Sequence, residues 1–226
     1  DEVMKGIDAS GKTVLDIGCG CGGGAIHLIK NHDAKSVVGI DIESLVIKRA
    51  NELAVKYNLS NLAHFRCVKP GPLDIPDESV DLVFSKEVFL HISNKDDLMK
   101  DIYRVLKPGG LVVVSDWMRI DDNPPSKQMQ EYIAAEGLDM YMCSLKRYEQ
   151  VLKNTGFIDI VMKDRNVWYL NKAQQELAAI EGPLNKKVID AIGPEETAGA
   201  IDIWKKLIGV LEIGEHRPGH FKAAKK

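Results

Sequence analysis

Val14-Leu15-Asp16-Ile17-Gly18-Cys19-Gly20-Cys21-Gly22-Gly23-Gly24 opens as a strand of branched apolar residues and ends as a loop of glycines. Such a loop permits positive φ angles and lets a ligand lie against the backbone without meeting a Cβ. Working outward, residues 13–17, 36–40, 80–84 and 111–115 are short runs rich in Val, Ile and Leu, each separated from the next by stretches that read as helix or loop. Strands lose their polar/apolar alternation when both faces are covered, so this order predicts an α/β chain with a doubly wound, mostly parallel sheet. The spacing of Leu98, Met99, Ile102, Val105 and Leu106 predicts a helix over residues 96–106, capped by Asn94 and stopped at Lys107-Pro108-Gly109-Gly110. Further amphipathic helices are predicted over 45–57, 145–154 (Ser144 as cap, Gly156 past the end), 173–181 and 195–211. Residues 157–162 read as a strand and 219–223 as a last short one.

The length of 226 residues, with 45% hydrophobic and 28% charged, fits one compact domain. We read residues 1–116 as its cofactor-binding half and 117–226 as its acceptor-binding half. Thirty Lys plus Arg against 33 Asp plus Glu gives a net charge of -3, which leaves no basic footprint for nucleic acid or anionic lipid. No apolar run approaches the ~18 residues of a membrane span. Four irregularly spaced cysteines do not make a disulfide framework and point to a reducing, cytoplasmic setting. Cys19-x-Cys21 lacks the gap of a zinc knuckle and a second pair, so no metal is expected. The chain opens on Asp1 and not on Met, which implies processing or trimming.

Chemistry enters with a second element. Gly39-Ile40-Asp41 ends the second strand, and Asp41 stands 23 residues after Gly18, where a carboxylate can accept hydrogen bonds from both hydroxyls of a ribose. The pair points to a nucleoside cofactor. Gly18-x-Gly20-x-x-Gly23 also matches a dinucleotide fingerprint, but Asp16 aims an acid at the loop. It would repel a pyrophosphate and can hold an ammonium. That favours S-adenosylmethionine (SAM), with S-adenosylhomocysteine as product, over a nicotinamide cofactor.

Leu106-Lys107-Pro108-Gly109-Gly110 followed by Val112-Val113-Val114-Ser115-Asp116 resembles the corresponding turn and strand of class I SAM-dependent methyltransferases. The glycine loop, the run Phe84-Ser85-Lys86-Glu87-Val88-Phe89-Leu90-His91, the pair Lys163-Asp164 and the ending Gly219-His220-Phe221-Lys222-Ala223 together resemble the phosphoethanolamine (phosphobase) N-methyltransferases. The resemblance implies a Rossmann-like seven-stranded sheet with its last strand antiparallel and a small amine as methyl acceptor. It also implies Asp16, Gly18 and Gly20 at the amino-acid part of SAM, Asp41 at the ribose, Ile42 and Val68 at the adenine, and Ser85 and Lys86 beside the cofactor. Where that family has an Asp for the adenine amino group, this sequence has Lys69, a donor only.

Glu87 and His91 follow the fourth strand, across the crevice from the glycine loop in a doubly wound sheet. Near neutral pH a His can take a proton from an acceptor amine, and a Glu can hold a cationic acceptor by charge. The resemblance assigns both to catalysis. The family pairs this His with a Tyr from an N-terminal segment, so only the His carries over here. Trp117, Tyr132, Tyr141 and Tyr148 are the expected acceptor-binding aromatics. The family's phosphate-gripping Arg is missing from Ala134-Ala135-Glu136-Gly137-Leu138-Asp139-Met140-Tyr141, and Glu212-Ile213-Gly214-Glu215-His216 is acidic where the family is basic. An acceptor with less negative charge than a phosphobase is therefore expected, unless Lys146, Arg147 or Arg217 takes over the clamp. Transfer to oxygen or sulfur, and a non-catalytic SAM-binding protein, are the alternative readings. Trp168 and Trp204 are expected to be packing residues and Lys222 to Lys226 a solvated tail. The expected assembly is a monomer or weak homo-oligomer.

Overall fold

The computed structural model describes residues 1–226. Its centre is a seven-stranded sheet made of β1 (Thr13–Ile17), β2 (Ser36–Asp41), β3 (Ala63–Cys67), β4 (Val80–Lys86), β5 (Leu106–Asp116), β6 (Phe157–Asp164) and β7 (Gly219–Lys225). The order across the sheet is β3-β2-β1-β4-β5-β7-β6, and only the last strand runs antiparallel. The strand order reverses between β1 and β4, which pair in parallel with Asp16 opposite Phe84 and Ile17 opposite Ser85. At such a switch point the loops leaving two neighbouring strands diverge and open a crevice at their carboxyl ends. The central strands are the apolar runs of the sequence: Val14, Leu15, Leu82, Val83, Val112, Val113 and Val114 have no exposed surface.

The helices between them form where the pattern and caps allow. Helix α1 (Gly23–His32) follows the glycine loop, and α2 (Ser44–Lys56) buries Ile47, Ala50 and Ala54. In α3 (Lys95–Val105) the Asn94 side chain accepts from the Asp97 N–H, and Met99, Ile102 and Val105 face the core. Arg104 on α3 pairs with Asp77 at 2.6 Å and donates to the Leu73 and Ile75 carbonyls, fastening the segment between β3 and β4. Ser144 Oγ accepts from the Arg147 N–H at 3.0 Å to start α5 (Leu145–Thr155), and Gly156 beyond its end takes φ +105°.

Two compact units divide the chain. The first comprises residues 1–116, 148–163 and 220–226 and contains the sheet. The second comprises residues 117–147 and 164–219 and is helical. In it α4 (Lys127–Glu136), α6 (Asn166–Glu181) and α7 (Asn185–Ile192) pack on α8 (Pro194–Glu212).

Several elements depart from the sequence reading. Strand β3 escapes a search for apolar runs because only Ala63 and Phe65 point inward, as fits an edge strand. Helices α4 and α7 were not expected, and α6 begins at Asn166, well before residue 173. Trp168 is 53% exposed, with the Arg165 guanidinium over its ring, and is not a packing residue. Nor is the Lys-rich end a solvated tail. It is strand β7, and Lys225 is buried, its Nζ donating to the Leu106 carbonyl at 2.8 Å and pairing with Glu78 at 3.1 Å. Strand pairing draws the chain inward, and carbonyl, carboxylate and the face of Tyr103 compensate the buried ammonium. All four cysteines are free thiols.

Candidate active site

At the end of β1 the backbone turns at Gly18 (φ +70°), and the Gly18 and Cys19 N–H groups both donate to the Ile40 carbonyl, at 2.8 and 3.0 Å. A Cβ on Gly18 would lie 2.1 Å from Val88 Cγ2, so the loops after β1 and β4 meet at a point where no side chain fits. Gly20 (φ +51°) donates its N–H to Asp41 Oδ2 at 2.9 Å, and a Cβ there would meet nothing within 4 Å. Asp41 Oδ1 accepts from the Glu43 N–H at 3.0 Å. Both carboxylate oxygens are thus fixed by backbone donors and each keeps a lone pair, an arrangement suited to the two hydroxyls of a vicinal diol.

Asp16 lies behind this loop. It is 2% exposed, and its Oδ2 has no hydrogen-bond partner. Burial first, and the charge of Asp41 second, raise its pKa to about 7. A buried carboxylate without a partner is costly, and a cation seated in the loop would supply what it lacks. Asp16 and Asp41 together fit a ligand that carries both an ammonium and a ribose. Cys19 is buried, and burial together with Asp16 and Asp41 pushes its thiol up, so it stays protonated and is a poor metal ligand. Ile42 is 56% exposed beyond β2, offering an apolar face. Val68 is half-buried and donates its N–H to the Asp41 carbonyl at 2.9 Å, which ties the segment after β3 to the end of β2, and Lys69 next to it is exposed.

On the β4 side, Ser85 is fully buried and its Oγ donates to the Ile17 carbonyl at 2.9 Å. It joins β4 to β1 from within the sheet. Lys86 is exposed and pairs with Glu87 at 3.2 Å. Glu87 adopts φ +58°, rare for a residue with a side chain, and its N–H donates to the Ser115 carbonyl at 2.8 Å. Strained backbone of this kind collects at functional sites. A 3-10 turn, Phe89–His91, then buries Phe89 and Leu90 and leaves His91 exposed. Glu87, His91 and the glycine loop therefore rim the carboxyl ends of β1 and β4.

The expected acceptor residues part company. Trp117 and Tyr132 lie together in the second unit, ring centroids 6.3 Å apart, and both pack on His216, at 5.3 and 5.8 Å. His216 is fully buried, with Nδ1 3.2 Å from the Met118 carbonyl and no partner at Nε2. Burial lowers its pKa to about 3, so the ring is neutral. Its nearest sequence signal was an acidic stretch, which gave no reason to single it out. Tyr141 is exposed. Tyr148 belongs to the sheet-containing unit, is fully buried and stacks on Phe221 at 5.0 Å. Glu215 is no free acid. It pairs with Arg119 at 2.9 Å and accepts from the Ser126 N–H and hydroxyl. Burial alone would raise its pKa, but the bonds from Ser126 and Arg119 outweigh burial and hold it below the usual carboxylate range. Arg217 is likewise engaged, with Asp164 at 3.1 Å and the Gly214 carbonyl.

The chain matches the model of a methyltransferase domain family over residues 8–181. It is 33% identical over 215 residues to the phosphoethanolamine N-methyltransferase of Triticum aestivum and, also over 215 residues, to phosphoethanolamine N-methyltransferase 1 of Arabidopsis thaliana. Each alignment covers 95% of this chain but 41% and 42% of the relatives, so the chain spans about two-fifths of the length of the curated relatives it matches. Among solved structures it is similar to phosphoethanolamine N-methyltransferase 2 of Haemonchus contortus in complex with phosphomonomethylethanolamine and S-adenosylhomocysteine. The TM-score is 0.87 at 26% identity, covering 96% of this chain and 49% of that one.

Proposed function

The chain belongs to the methyltransferase domain family, and from that premise we propose that it uses SAM to methylate the nitrogen of a small phosphobase such as phosphoethanolamine. The observation that carries the reading is the buried, unpartnered Asp16 carboxylate beside an Asp41 already aimed by backbone donors. Asp16 would hold the ammonium of the methionyl group, the Gly18–Gly20 backbone would lie against that group, and Asp41 would take the ribose hydroxyls. Ile42, Val68 and Lys69 stand where adenine is expected, with Lys69 able only to donate. Bound SAM supplies a methyl group on a sulfonium, open to in-line displacement by an amine lone pair, with the C–S electron pair leaving on sulfur.

The residues of this chain would manage charge and protons around that displacement. Glu87 would attract and orient the acceptor ammonium, and His91 would remove its proton so that a lone pair is available, a contribution of about 10²- to 10⁴-fold. Trp117, half-buried, offers a ring face of the kind that holds methylated ammonium groups, and the fully buried Tyr132 packs beside it. The unit containing the sheet would be the cofactor-binding part and the helical unit the acceptor-binding part. Balanced charge and four free cysteines support a cytoplasmic protein, monomeric or weakly self-associating, that acts on a small molecule and not on nucleic acid. No helix is long and apolar enough to cross a membrane.

The missing clamp arginine in residues 134–141 favours a second reading, an amine or amino-alcohol acceptor without a phosphate. Labelled SAM offered with phosphoethanolamine and, separately, ethanolamine decides between them. Transfer to the first alone supports the phosphobase, and transfer to the second alone supports the uncharged tail. Calorimetric titration with SAM, S-adenosylhomocysteine and NAD accompanies it. Absence of adenosyl-ligand binding, or its persistence in Asp41→Ala, would overturn the reading.

A further inference from the structure

The turn that carries His91 is held from below by a buried cation. Lys95, the first residue of α3, is 4% exposed, and its Nζ donates to the Phe89 carbonyl at 2.5 Å and to the Ile92 carbonyl. Those carbonyls flank His91 on either side in the chain. Within the turn the His91 N–H reaches the Val88 carbonyl and the Ile92 N–H the Phe89 carbonyl, each at 3.0 Å. A single 3-10 turn is a weak element and does not fix the direction of an exposed side chain by itself. The Lys95 ammonium lies 5.9 Å from the centre of the Tyr148 ring, and Tyr148 in turn stacks on Phe221. Burying an ammonium is costly unless acceptors and ring faces compensate it, so the lysine is confined to this geometry, and through it the two carbonyls are confined as well.

We propose that Lys95 is a positioning residue for methyl transfer, which sets the backbone of the Phe89–His91 turn and thereby the place of the His91 imidazole, with Tyr148 as the wall against which its ammonium is held. The proposal rests on the reading of His91 as the proton acceptor. A Met at position 95 keeps the length of the stem and removes the donors, freeing the turn to drift. Displacement of a catalytic group by about 1 Å is enough to cost on the order of 10²-fold in rate.

The test is a double-mutant cycle on the full chain, following transfer from labelled SAM to phosphoethanolamine. Lys95→Met is expected to lower kcat about 10- to 100-fold, with the SAM Kd and acceptor KM within about twofold of wild type. In a His91→Ala background the same change should cost less than about twofold, because nothing remains to be positioned. Lys95→Gln, which keeps N–H donors without the charge, should fall between the two and serves if Lys95→Met does not fold. Full kcat in both Lys95 variants overturns the proposal, as does a loss that multiplies with His91→Ala or appears in the SAM Kd. Full activity of His91→Ala alone defeats the reading of His91 and the proposal with it, whereas an inactive His91→Ala beside fully active Lys95 variants defeats the proposal only.

Discussion

At pH 6 the Asp16 carboxyl is mostly protonated, since burial and Asp41 raise its pKa to about 7, and a neutral acid attracts an ammonium poorly. SAM affinity should therefore weaken about tenfold for each pH unit below 7 and level off above it, as the binding form is the carboxylate. Titration calorimetry from pH 5.5 to 8.5 measures this, and Asp16→Asn should bind weakly with no such slope. The sign for stability follows the same shift. A folded pKa above the unfolded one makes this group's contribution fall as pH rises from about 3.8 to about 7, so the free protein is least helped where it binds best. Gly18 is constrained twice, by φ +70° and by Val88 at 2.1 Å from any Cβ. Gly18→Ala should destabilise by ~1–3 kcal/mol and weaken SAM binding. Val88→Ala added to it should recover the part due to the clash, read from denaturant unfolding, and leave the part due to φ.

The elements that frame the helical unit depend on the segment before β7. Arg119 and Glu215 form a pair with side chains 8% and 11% exposed, and Glu215 also takes the Ser126 N–H at the start of α4. Arg119→Met leaves that carboxylate buried without its cation, and unfolding free energy should fall by ~3–5 kcal/mol. Glu215→Gln should cost less, because the amide still bonds Ser126. The adjacent His216, with its folded pKa near 3 against 6.5 unfolded, stays neutral while the unfolded chain takes up a proton. Stability is then lost as pH falls from about 6.5 toward 3, and His216→Gln should flatten that limb of the pH–stability curve. Helices such as α3 and α5 were legible because periodicity and a side-chain cap agree within a dozen residues. Helix α7 is only eight residues long, little more than two turns, so its apolar positions recur too few times to be counted as a helical period.

For the whole molecule, a ligand that binds only the folded state stabilises it by mass action. SAM at about 100 times its Kd should therefore raise unfolding free energy by ~2.7 kcal/mol. A thermal shift absent in Asp41→Ala and absent with NAD would bind that gain to the site described. The sequence by itself determined the α/β class, the doubly wound, mostly parallel sheet and the Asp16–Gly18–Gly20–Asp41 constellation. Strands buried on both faces must be apolar throughout, and a ligand against the backbone demands glycines next to fixed acids, so both constraints are written in adjacent residues. Only the tertiary structure decided which aromatics share a cluster, that Glu215 is neutralised by a residue 96 positions away, that Tyr148 backs the core and that Lys95 and Lys225 are buried. Those outcomes depend on long-range pairing and on the local cost of burying charge, and no short window of sequence contains either term.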